Sequence, residues 1–300
     1  MATLQQDKLA AATHMNAVQL KVGDMKVMSE YYQQALGLAV LDETAEGTRL
    51  GRGTQELVNL QNAPGLQLPS RNEAGLFHTA LLFGTKADLA ATVLSAAQFD
   101  QSRFVGSSDH LVSEAFYFTD PEGNGIELYW DRPRDTWSWS GGEVAMDTIY
   151  LDPNKFLNEH LNEQAITGQR QAAADIGHVH LQVGDVATAR QFYVNTLGFD
   201  ETTTLGNQAL FVSAGGYHHH MAMNVWNSRG AGPRKDTLGL GEVLINVPTE
   251  DEVGKLAERL AFAKVENHHT GAELRFKDPW NNELRVAVGW PPRSPAPPWM

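Results

Sequence analysis

Histidines are concentrated in one part of this chain of 300 residues, since five of its eleven histidines lie between His178 and His220. Around the first of them, apolar and β-branched residues alternate as in a short strand, and a glycine and Asp185 then mark a turn and a helix start. Side chains two positions apart on a strand share a face, so His178 and His180 are predicted to point the same way. Imidazole is a frequent metal ligand and acid–base group, and this face is therefore predicted to carry a metal or acid–base site.

The other three histidines of this group form a run, His218-His219-His220, directly after Gly215, Gly216 and a tyrosine. Strand alternation predicts that His218 and His220 share one face and that His219 takes the other, so not all three can line one cavity. The residues that we predict to contact a substrate in this half of the chain are His180, His220, Tyr217 and Trp226, with Phe211 in the same aromatic wall.

The composition excludes several classes of function. The net charge is −13 and there is no run of Lys or Arg, so we expect no binding to nucleic acid or to an anionic membrane surface. The absence of cysteine excludes disulfides, zinc fingers and thiol nucleophiles. Residues 1–12 lack the apolar core of a signal peptide, and there is no run of about 18 apolar residues. A cytoplasmic protein is expected.

Four copies of one unit account for most of the chain. The segment Leu20–Gly37 matches Leu181–Gly198, because strand residues, an aspartate, a pair of aromatic residues and a Leu-Gly pair recur in the same order. Two more divergent copies contain helices, predicted over Lys86–Ala97 and Glu250–Phe262, and each helix precedes an Asp-Pro hairpin signal. We predict an α+β fold of four β-α-β-β-β units in two pairs, each pair closing a cupped mixed sheet. The first pair, 13–131, contains the units 13–70 and 74–131. The second pair, 175–290, contains the units 175–228 and 238–290.

The remaining segments connect or end these units. Residues 132–174 are predicted to be a crossover linker, with a short helix near Asn154–Gln164, that packs on the domains as it passes between the two halves. The proline-rich tail Pro291–Pro298 is predicted to be an extended arm, because so many prolines prevent a helix or an inner strand.

Three long motifs carry a resemblance to a known family. The repeats and the segments Asp120–Tyr129 (DPEGNGIELY), Ile176–Asp185 (IGHVHLQVGD) and Phe211–His220 (FVSAGGYHHH) resemble the vicinal-oxygen-chelate superfamily, which includes glyoxalases, bleomycin-binding proteins and extradiol dioxygenases. With the four-unit length, they are most similar to the catechol 2,3-dioxygenase-like group of bacteria. The resemblance covers nearly the whole chain and implies that paired units surround a divalent metal.

The resemblance also implies which residues hold the metal, since superfamily ligands come from the first and last strands of a unit. Those positions are occupied by His78 and Glu127 in unit two and by His178 in unit three. Two imidazoles and one carboxylate, with other positions open, are the ligand set of non-haem Fe(II) oxygenases. The site requires unit two to pack against unit three, and unit one against unit four. The corresponding residues of the outer units, which do not make a site, are Ala17, Glu242 and Arg285.

Two further residues, His110 and Tyr117, lie where extradiol dioxygenases carry an active-site histidine and tyrosine. The resemblance therefore implies extradiol ring cleavage of a small catechol-like aromatic diol with O₂. His110 would transfer protons and Tyr117 would orient the intermediate. Fe(II) is the expected metal, with Mn, Zn or Ni as alternatives.

Two other functions remain open on the same scaffold. A glyoxalase-type lyase or isomerase would use Ni, Zn or Mn, with His220 as a fourth ligand. A binding protein would hold a small aromatic molecule in the cup without a metal. Oxygen uptake with a diol separates the dioxygenase from both, and the sequence leaves a homo-oligomer open.

Overall fold

The structure is a computed structural model that describes residues 8–289. The arm predicted over Pro291–Pro298 lies outside the described residues. Within them, no helix is long and apolar enough to cross a membrane.

The order β-α-β-β-β recurs four times, which confirms the predicted fold class. Unit one contains β1 (His14–Val22), α1 (Met25–Gln34), β2 (Ala39–Glu43), β3 (Gly47–Arg52) and β4 (Gln55–Asn62). Unit two contains β5 (Gly75–Phe83), α2 (Lys86–Gln98), β6 (Arg103–Asp109), β7 (Ser113–Thr119) and β8 (Gly125–Asp131). The linker contains a 3₁₀ turn (Arg134–Thr136), β9 (Trp139–Ser140), β10 (Glu143–Val144), β11 (Ile149–Tyr150), α3 (Pro153–His160) and α4 (Glu163–Gly168). Unit three contains β12 (Ala174–Gln182), α5 (Val186–Arg190) with a π-helical continuation (Gln191–Thr196), β13 (Asp200–Thr204), β14 (Ala209–Ser213) and β15 (Met221–Asn224). Unit four contains β16 (Gly239–Val247), α6 (Glu250–Phe262), β17 (Asn267–His269), β18 (Glu273–Lys277) and β19 (Glu283–Val288).

The strands form two large mixed sheets, and each sheet takes strands from both halves of the chain. The nine-stranded sheet has the order β11-β6-β7-β8-β5-β12-β15-β14-β13, so it joins unit two to unit three. The eight-stranded sheet has the order β17-β18-β19-β16-β1-β4-β3-β2 and joins unit four to unit one. In both sheets the first strands of the two units pair antiparallel at the centre, β5 with β12 and β1 with β16. This is the pairing that the metal-ligand positions required. The consecutive units of 13–131 and of 175–290 therefore do not close a sheet with each other, because each unit pairs with one from the other half of the chain.

The helices begin and end at the residues that the repeat predicts. The Asp24 side chain accepts a hydrogen bond from the backbone N–H of Val27 at 3.0 Å, and Asp185 accepts one from Thr188 at 2.7 Å. These bonds satisfy N–H groups that lack partners at a helix start. At the other end, Gly37 has a φ of 68°, in the left-handed region that glycine adopts without strain.

The linker differs from its prediction, because it contains two short helices in place of one. Asp152 caps α3, and Leu161 then leaves the helical conformation with a ψ of 134°. Asn162 is also extended, and its side chain accepts a hydrogen bond from Ala165 N at 2.8 Å, so a second helix begins there. The linker packs against unit two as expected: the ring centroids of Phe156 and Phe116 are 4.8 Å apart.

Two buried hydrogen bonds tie consecutive units together across the two sheets. The Tyr32 hydroxyl in α1 donates to Asp120 in the Asp-Pro turn of unit two at 3.1 Å. Tyr193 in unit three donates in the same way to Asp278 in unit four at 2.9 Å. Burial raises the pKa of Asp120 to about 6, against the hydrogen bonds from Asn124 that lower it. The second aromatic residue of each Asp-aromatic repeat therefore hydrogen-bonds the aspartate of the Asp-Pro turn in the next unit.

We predict that Tyr32→Phe and Tyr193→Phe each lower the free energy of unfolding by about 1–3 kcal/mol, because each leaves a buried carboxyl oxygen with one donor fewer. Equilibrium denaturation by urea measures the change. Tyr150→Phe is the matched control, because Tyr150 is 77% exposed. This variant should unfold at the urea midpoint of the wild type. Wild-type midpoints for both buried variants would show that these bonds do not stabilise the fold.

Candidate active site

The three side chains predicted as metal ligands come together on one face of the nine-stranded sheet. His78 lies on β5, His178 on its antiparallel neighbour β12, and Glu127 on its parallel neighbour β8. In the two registers, Ala80 of β5 lies opposite both Glu127 and His178. A methyl group leaves the space above it to longer side chains, so the carboxylate and the imidazoles converge over Ala80. We call this surface, which carries His78, Ala80 and Leu82, the site face.

The three potential metal-binding atoms of this triad are spaced as the ligand atoms of one metal ion would be. Oε2 of Glu127 is 2.9 Å from Nε2 of His78 and 3.0 Å from Nε2 of His178. The two Nε2 atoms are 3.3 Å apart. Metal–ligand distances of about 2.1 Å place neighbouring ligand atoms about 3 Å apart, so the triad fits a shared divalent ion. Among residues 8–289, no second group of three His, Asp or Glu side chains is clustered in this way.

The protonation of the triad also suits a metal. Burial lowers the pKa of His178 to about 4, although contact with Glu127 acts in the opposite direction. Its imidazole is therefore neutral near pH 7, as a ligand must be. Burial raises the pKa of Glu127, but its contacts with His178 and His78 more than offset this and hold the pKa well below its usual range. The site consequently contains an ionised carboxylate beside the neutral ring of His178.

His110 and Tyr117 form a hydrogen-bonded pair beside the triad. Nε2 of His110 is 2.7 Å from the Tyr117 hydroxyl, and the Tyr117 ring centroid is 5.7 Å from that of His78. Nδ1 of His110 lies 2.7 Å from the backbone carbonyl of Asp147 in the linker. Because a carbonyl only accepts, Nδ1 carries the proton and the neutral ring presents its lone pair at Nε2. Burial and then the charge of Glu127 raise the pKa of Tyr117 well above its usual value, so this phenol keeps its proton.

His180 and two aromatic rings line the other side of His78. The ring centroids of His180 and His78 are 4.9 Å apart, and those of Phe77 and Trp226 lie 5.0 Å and 5.4 Å from His180. Nδ2 of Asn224 donates to Nε2 of His180 at 3.0 Å, so neutral His180 has its proton on Nδ1. The expectation that His178 and His180 share a face is met, and the structure adds Phe77 to the predicted aromatic residues.

The predicted alternation of His218, His219 and His220 is wrong. These residues are not in a strand, because Gly215 and Gly216 both have positive φ values, of 64° and 69°, and the chain resumes strand geometry only after His220. The rings of both His218 and His219 approach His178, with centroids 5.9 Å and 4.1 Å away.

His220 has a different environment from its two neighbours. Its Nδ1 accepts a hydrogen bond from Ala214 N at 3.1 Å, and its ring stacks on Tyr217 at 4.8 Å. Tyr217 is itself buried, and its hydroxyl donates to Asp131 at 2.8 Å. Phe211 lies against His219, with ring centroids 5.1 Å apart. Of the proposed substrate-binding residues, His180 thus contacts His78 of the triad and Trp226 contacts His180. Tyr217 instead lies against His218, and His220 lies against Tyr217.

Sequence reasoning missed a connected set of polar residues on the same face. Asp131 is 2.9 Å from Nε2 of His218, whose Nδ1 is 2.7 Å from Nδ1 of His219. Burial, followed by the neighbouring imidazoles, lowers the pKa of His219 well below its usual value. Period-two alternation could have found Asp131, because Glu127, Tyr129 and Asp131 follow one another on one face of β8.

The eight-stranded sheet has ion pairs at the corresponding place. Oε1 of Glu242 is 2.9 Å from Nε of Arg285, and Oε2 is 3.1 Å from Nη1 of Arg275. Ala17, at the remaining position, is fully buried. Burial raises the pKa of Glu242 against the effect of both arginines. This carboxylate is thus compensated by guanidinium groups, and it does not belong to a cluster of metal-ligating side chains.

Comparison with known proteins identifies relatives along most of the chain. A catechol-2,3-dioxygenase of Bacillus subtilis (strain 168) is 35% identical over 272 residues, which cover 89% of this chain and 94% of the relative. A biphenyl-2,3-diol 1,2-dioxygenase 3 of Rhodococcus globerulus is 31% identical over 137 residues, which cover 43% of this chain and 72% of the relative.

Solved structures share the fold at low sequence identity. A putative dioxygenase of Bacillus subtilis subsp. subtilis str. 168 superposes with a TM-score of 0.62 at 12% identity, covering 94% of this chain and 86% of that one. Glyoxalase I of Zea mays gives a TM-score of 0.56 at 14% identity, with 92% of each chain covered. The model of the Glyoxalase/Bleomycin resistance protein/Dioxygenase superfamily matches residues 14–128 and 175–286, and the chain belongs to this superfamily.

Proposed function

We propose that this protein is a metal-dependent extradiol dioxygenase that cleaves the ring of a catechol-like diol with O₂. The observation that carries the proposal is the buried triad of two imidazoles and one carboxylate, with the His110–Tyr117 pair 5.7 Å from His78 measured between the rings. The catechol-2,3-dioxygenase relative, which aligns along most of the chain, supports the same reaction class.

His78, His178 and Glu127 would hold the metal, and Fe(II) is the ion that we propose because this ligand set is typical of non-haem Fe(II) oxygenases. When bound, the ion acidifies a coordinated diol and provides the redox chemistry for O₂. Two neutral histidines and one carboxylate leave a divalent ion with a net charge of +1. In a buried site this charge favours an anionic diol over a neutral one.

The surrounding side chains have separate roles in this reaction. With its proton on Nδ1, held by the Asp147 carbonyl, a neutral His110 has its lone pair at Nε2, where the Tyr117 hydroxyl donates to it. When Tyr117 turns its hydroxyl to the substrate, Nε2 accepts a proton from a diol hydroxyl and returns it later. Tyr117, which keeps its own proton, hydrogen-bonds an oxygen of the reacting ring or of its product. His180 presents Nδ1–H as a donor, and Phe77 and Trp226 provide apolar surface for an aromatic ring.

A glyoxalase-type reaction has less support from the site. It would use His220 as a fourth ligand, but Nδ1 of His220 already accepts a hydrogen bond from Ala214 N and its ring stacks on Tyr217. The similarity to glyoxalase I structures is a similarity of fold alone. A binding protein without a metal would leave the triad, with its ionised carboxylate, unexplained.

We predict that His78→Ala, His178→Ala and Glu127→Ala each remove most of the bound metal, because two ligands hold a divalent ion much more weakly than three. Protein purified without oxygen and loaded with Fe(II) should contain about one ion per chain in the wild type, measured by mass spectrometry of the metal. Glu242→Ala is the matched control: it removes a buried carboxylate at the corresponding place in the other sheet and should keep the wild-type metal content.

Circular dichroism of each variant establishes that the fold is intact. Full metal content in all three triad variants would show that the ion binds elsewhere. Metal loss in Glu242→Ala comparable to that in Glu127→Ala would show that the assay reports general destabilisation and not the ligand set.

We predict that His110→Phe retains the metal and binds catechol but lowers the rate of oxygen uptake by about 10²- to 10⁴-fold, because it removes the proton acceptor. An oxygen electrode with a small panel of catechols measures the rate. His268→Phe, at an exposed position on the other sheet, should keep the wild-type rate. No uptake by Fe(II)-loaded wild type with any catechol would contradict the proposed function.

A further inference from the structure

We propose that Asp131 is a positioning residue that acts through His218 to fix the tautomer of His219, so that His219 offers a hydrogen-bond acceptor at Nε2 beside the triad. The role of that acceptor, to receive a hydrogen bond from a substrate hydroxyl, rests on the proposed function. The tautomer itself follows from the hydrogen bonds and can be measured without substrate.

The first step is the proton on His218. The Tyr217 hydroxyl donates to Oδ2 of Asp131 at 2.8 Å, and Tyr129 and Tyr217 are joined by a bond of 2.7 Å between their hydroxyls. Because Tyr217 has only one proton to give, it accepts the bond from Tyr129. The remaining oxygen of Asp131, Oδ1, is 2.9 Å from Nε2 of His218. A carboxylate only accepts, so Nε2 of His218 carries a proton.

The second step passes from His218 to His219. Their Nδ1 atoms are 2.7 Å apart, which requires one donor and one acceptor. When His218 carries a single proton, that proton is on Nε2, so His218 accepts at Nδ1 and His219 donates from Nδ1. Neutral His219 then has its lone pair at Nε2. The Asp131 carboxylate thus acts through two successive hydrogen bonds and determines which ring nitrogen of His219 is an acceptor.

The third step is the place of His219 in the site. Its ring centroid is 4.1 Å from that of His178 and 5.1 Å from that of Phe211, so it lies between a triad ligand and the aromatic residues. Within residues 8–289, the one hydrogen bond of the His219 ring is the bond between its Nδ1 and Nδ1 of His218. We call the hydrogen-bonded series Asp131–His218–His219 the relay. Because His218 is 0% exposed, water cannot readily replace either of its hydrogen-bond partners in the relay.

The relay also explains why the structure uses a charged residue at position 131. A carboxylate accepts from Tyr217 and His218 at the same time. An amide at this position has a single acceptor oxygen, and if that oxygen keeps Tyr217, its N–H₂ group faces Nε2 of His218. The proton of His218 then moves to Nδ1, and His219 is driven to the opposite tautomer, with a donor at Nε2.

The test is ¹⁵N NMR of histidine-labelled, metal-free protein, which distinguishes protonated from unprotonated ring nitrogens. His218→Gln and His219→Gln assign the signals. Wild type should show His218 protonated at Nε2 and His219 protonated at Nδ1. Asp131→Asn and Asp131→Ala should give a mixed or reversed His219 population. Asp278→Asn is the matched control, since Asp278 is a buried carboxyl that accepts from Tyr193 far from the relay, and it should leave both tautomers unchanged.

Oxygen uptake with the best catechol provides the kinetic readout. Asp131→Asn should lower kcat by about 10- to 100-fold, the usual effect of losing a partner that orients a functional histidine, with much less change in KM. Asp278→Asn should lower stability without this kcat effect. The isosteric Asp131→Asn keeps the test decisive if Asp131→Ala does not fold.

Three results would overturn the proposal: wild-type His219 protonated at Nε2, His218 protonated at both nitrogens, or wild-type tautomers in both Asp131 variants. Wild-type kcat in a variant with a reversed His219 would show that the tautomer exists but does not serve the reaction. If wild type consumes no O₂ with any diol, the proposed function fails, and the NMR result still decides the tautomer relay.

Discussion

The antiparallel pairing of β5 with β12 is the constraint on which the site depends. It places His180 opposite His78 and His178 opposite Ala80, and the parallel neighbour β8 then brings Glu127 to the same place. Side chains alternate between the two faces of a strand, so a slip of one residue in this register would turn His78 away from His178. The triad is thus a property of a long-range strand pairing more than of any single strand.

Close packing on the site face helps to hold that register. Gly177, next to His178, lies directly under the Tyr129 hydroxyl, and a Cβ at this position would collide with that oxygen. Tyr129 is in turn joined to Tyr217, and through it to Asp131. On the opposite face of β12, Val179 belongs to the continuous apolar core. A shift of β12 would therefore break a hydrogen-bonded network on one face and expose core residues on the other.

Much of the fold was predictable from the sequence because its signals are periodic. The repeat of aspartate, aromatic pair and Leu-Gly predicts units one and three, and the helix patterns with their Asp-Pro signals predict units two and four. Strand alternation correctly places His178 and His180 on one face. The positions of His78 and Glu127 came from the family resemblance, which neither spacing nor composition could replace. The His218–His220 run was predicted wrongly, because the two glycines before it permit backbone conformations in which alternation no longer applies. The break at Leu161 was missed because Asn162 starts a new helix where the apolar pattern continues.

The two sheets show how one scaffold supports different chemistry through the charges placed at its centre. In the eight-stranded sheet, buried Glu242 is paired with Arg275 and Arg285, so its negative charge is already compensated by protein groups. In the nine-stranded sheet, Glu127 is buried against His78 and His178, burial lowers the pKa of His178, and no Lys or Arg within the described chain forms an ion pair with Glu127. An uncompensated buried carboxylate is costly, and a divalent cation would remove that cost while gaining two nitrogen ligands. At the corresponding strand positions, the eight-stranded sheet places a glutamate with arginines, which compensate it as ion pairs, whereas the nine-stranded sheet places a glutamate with histidines, which form a group that could hold a cation. This difference in partners explains why, within residues 8–289, one sheet presents such a group and the other does not.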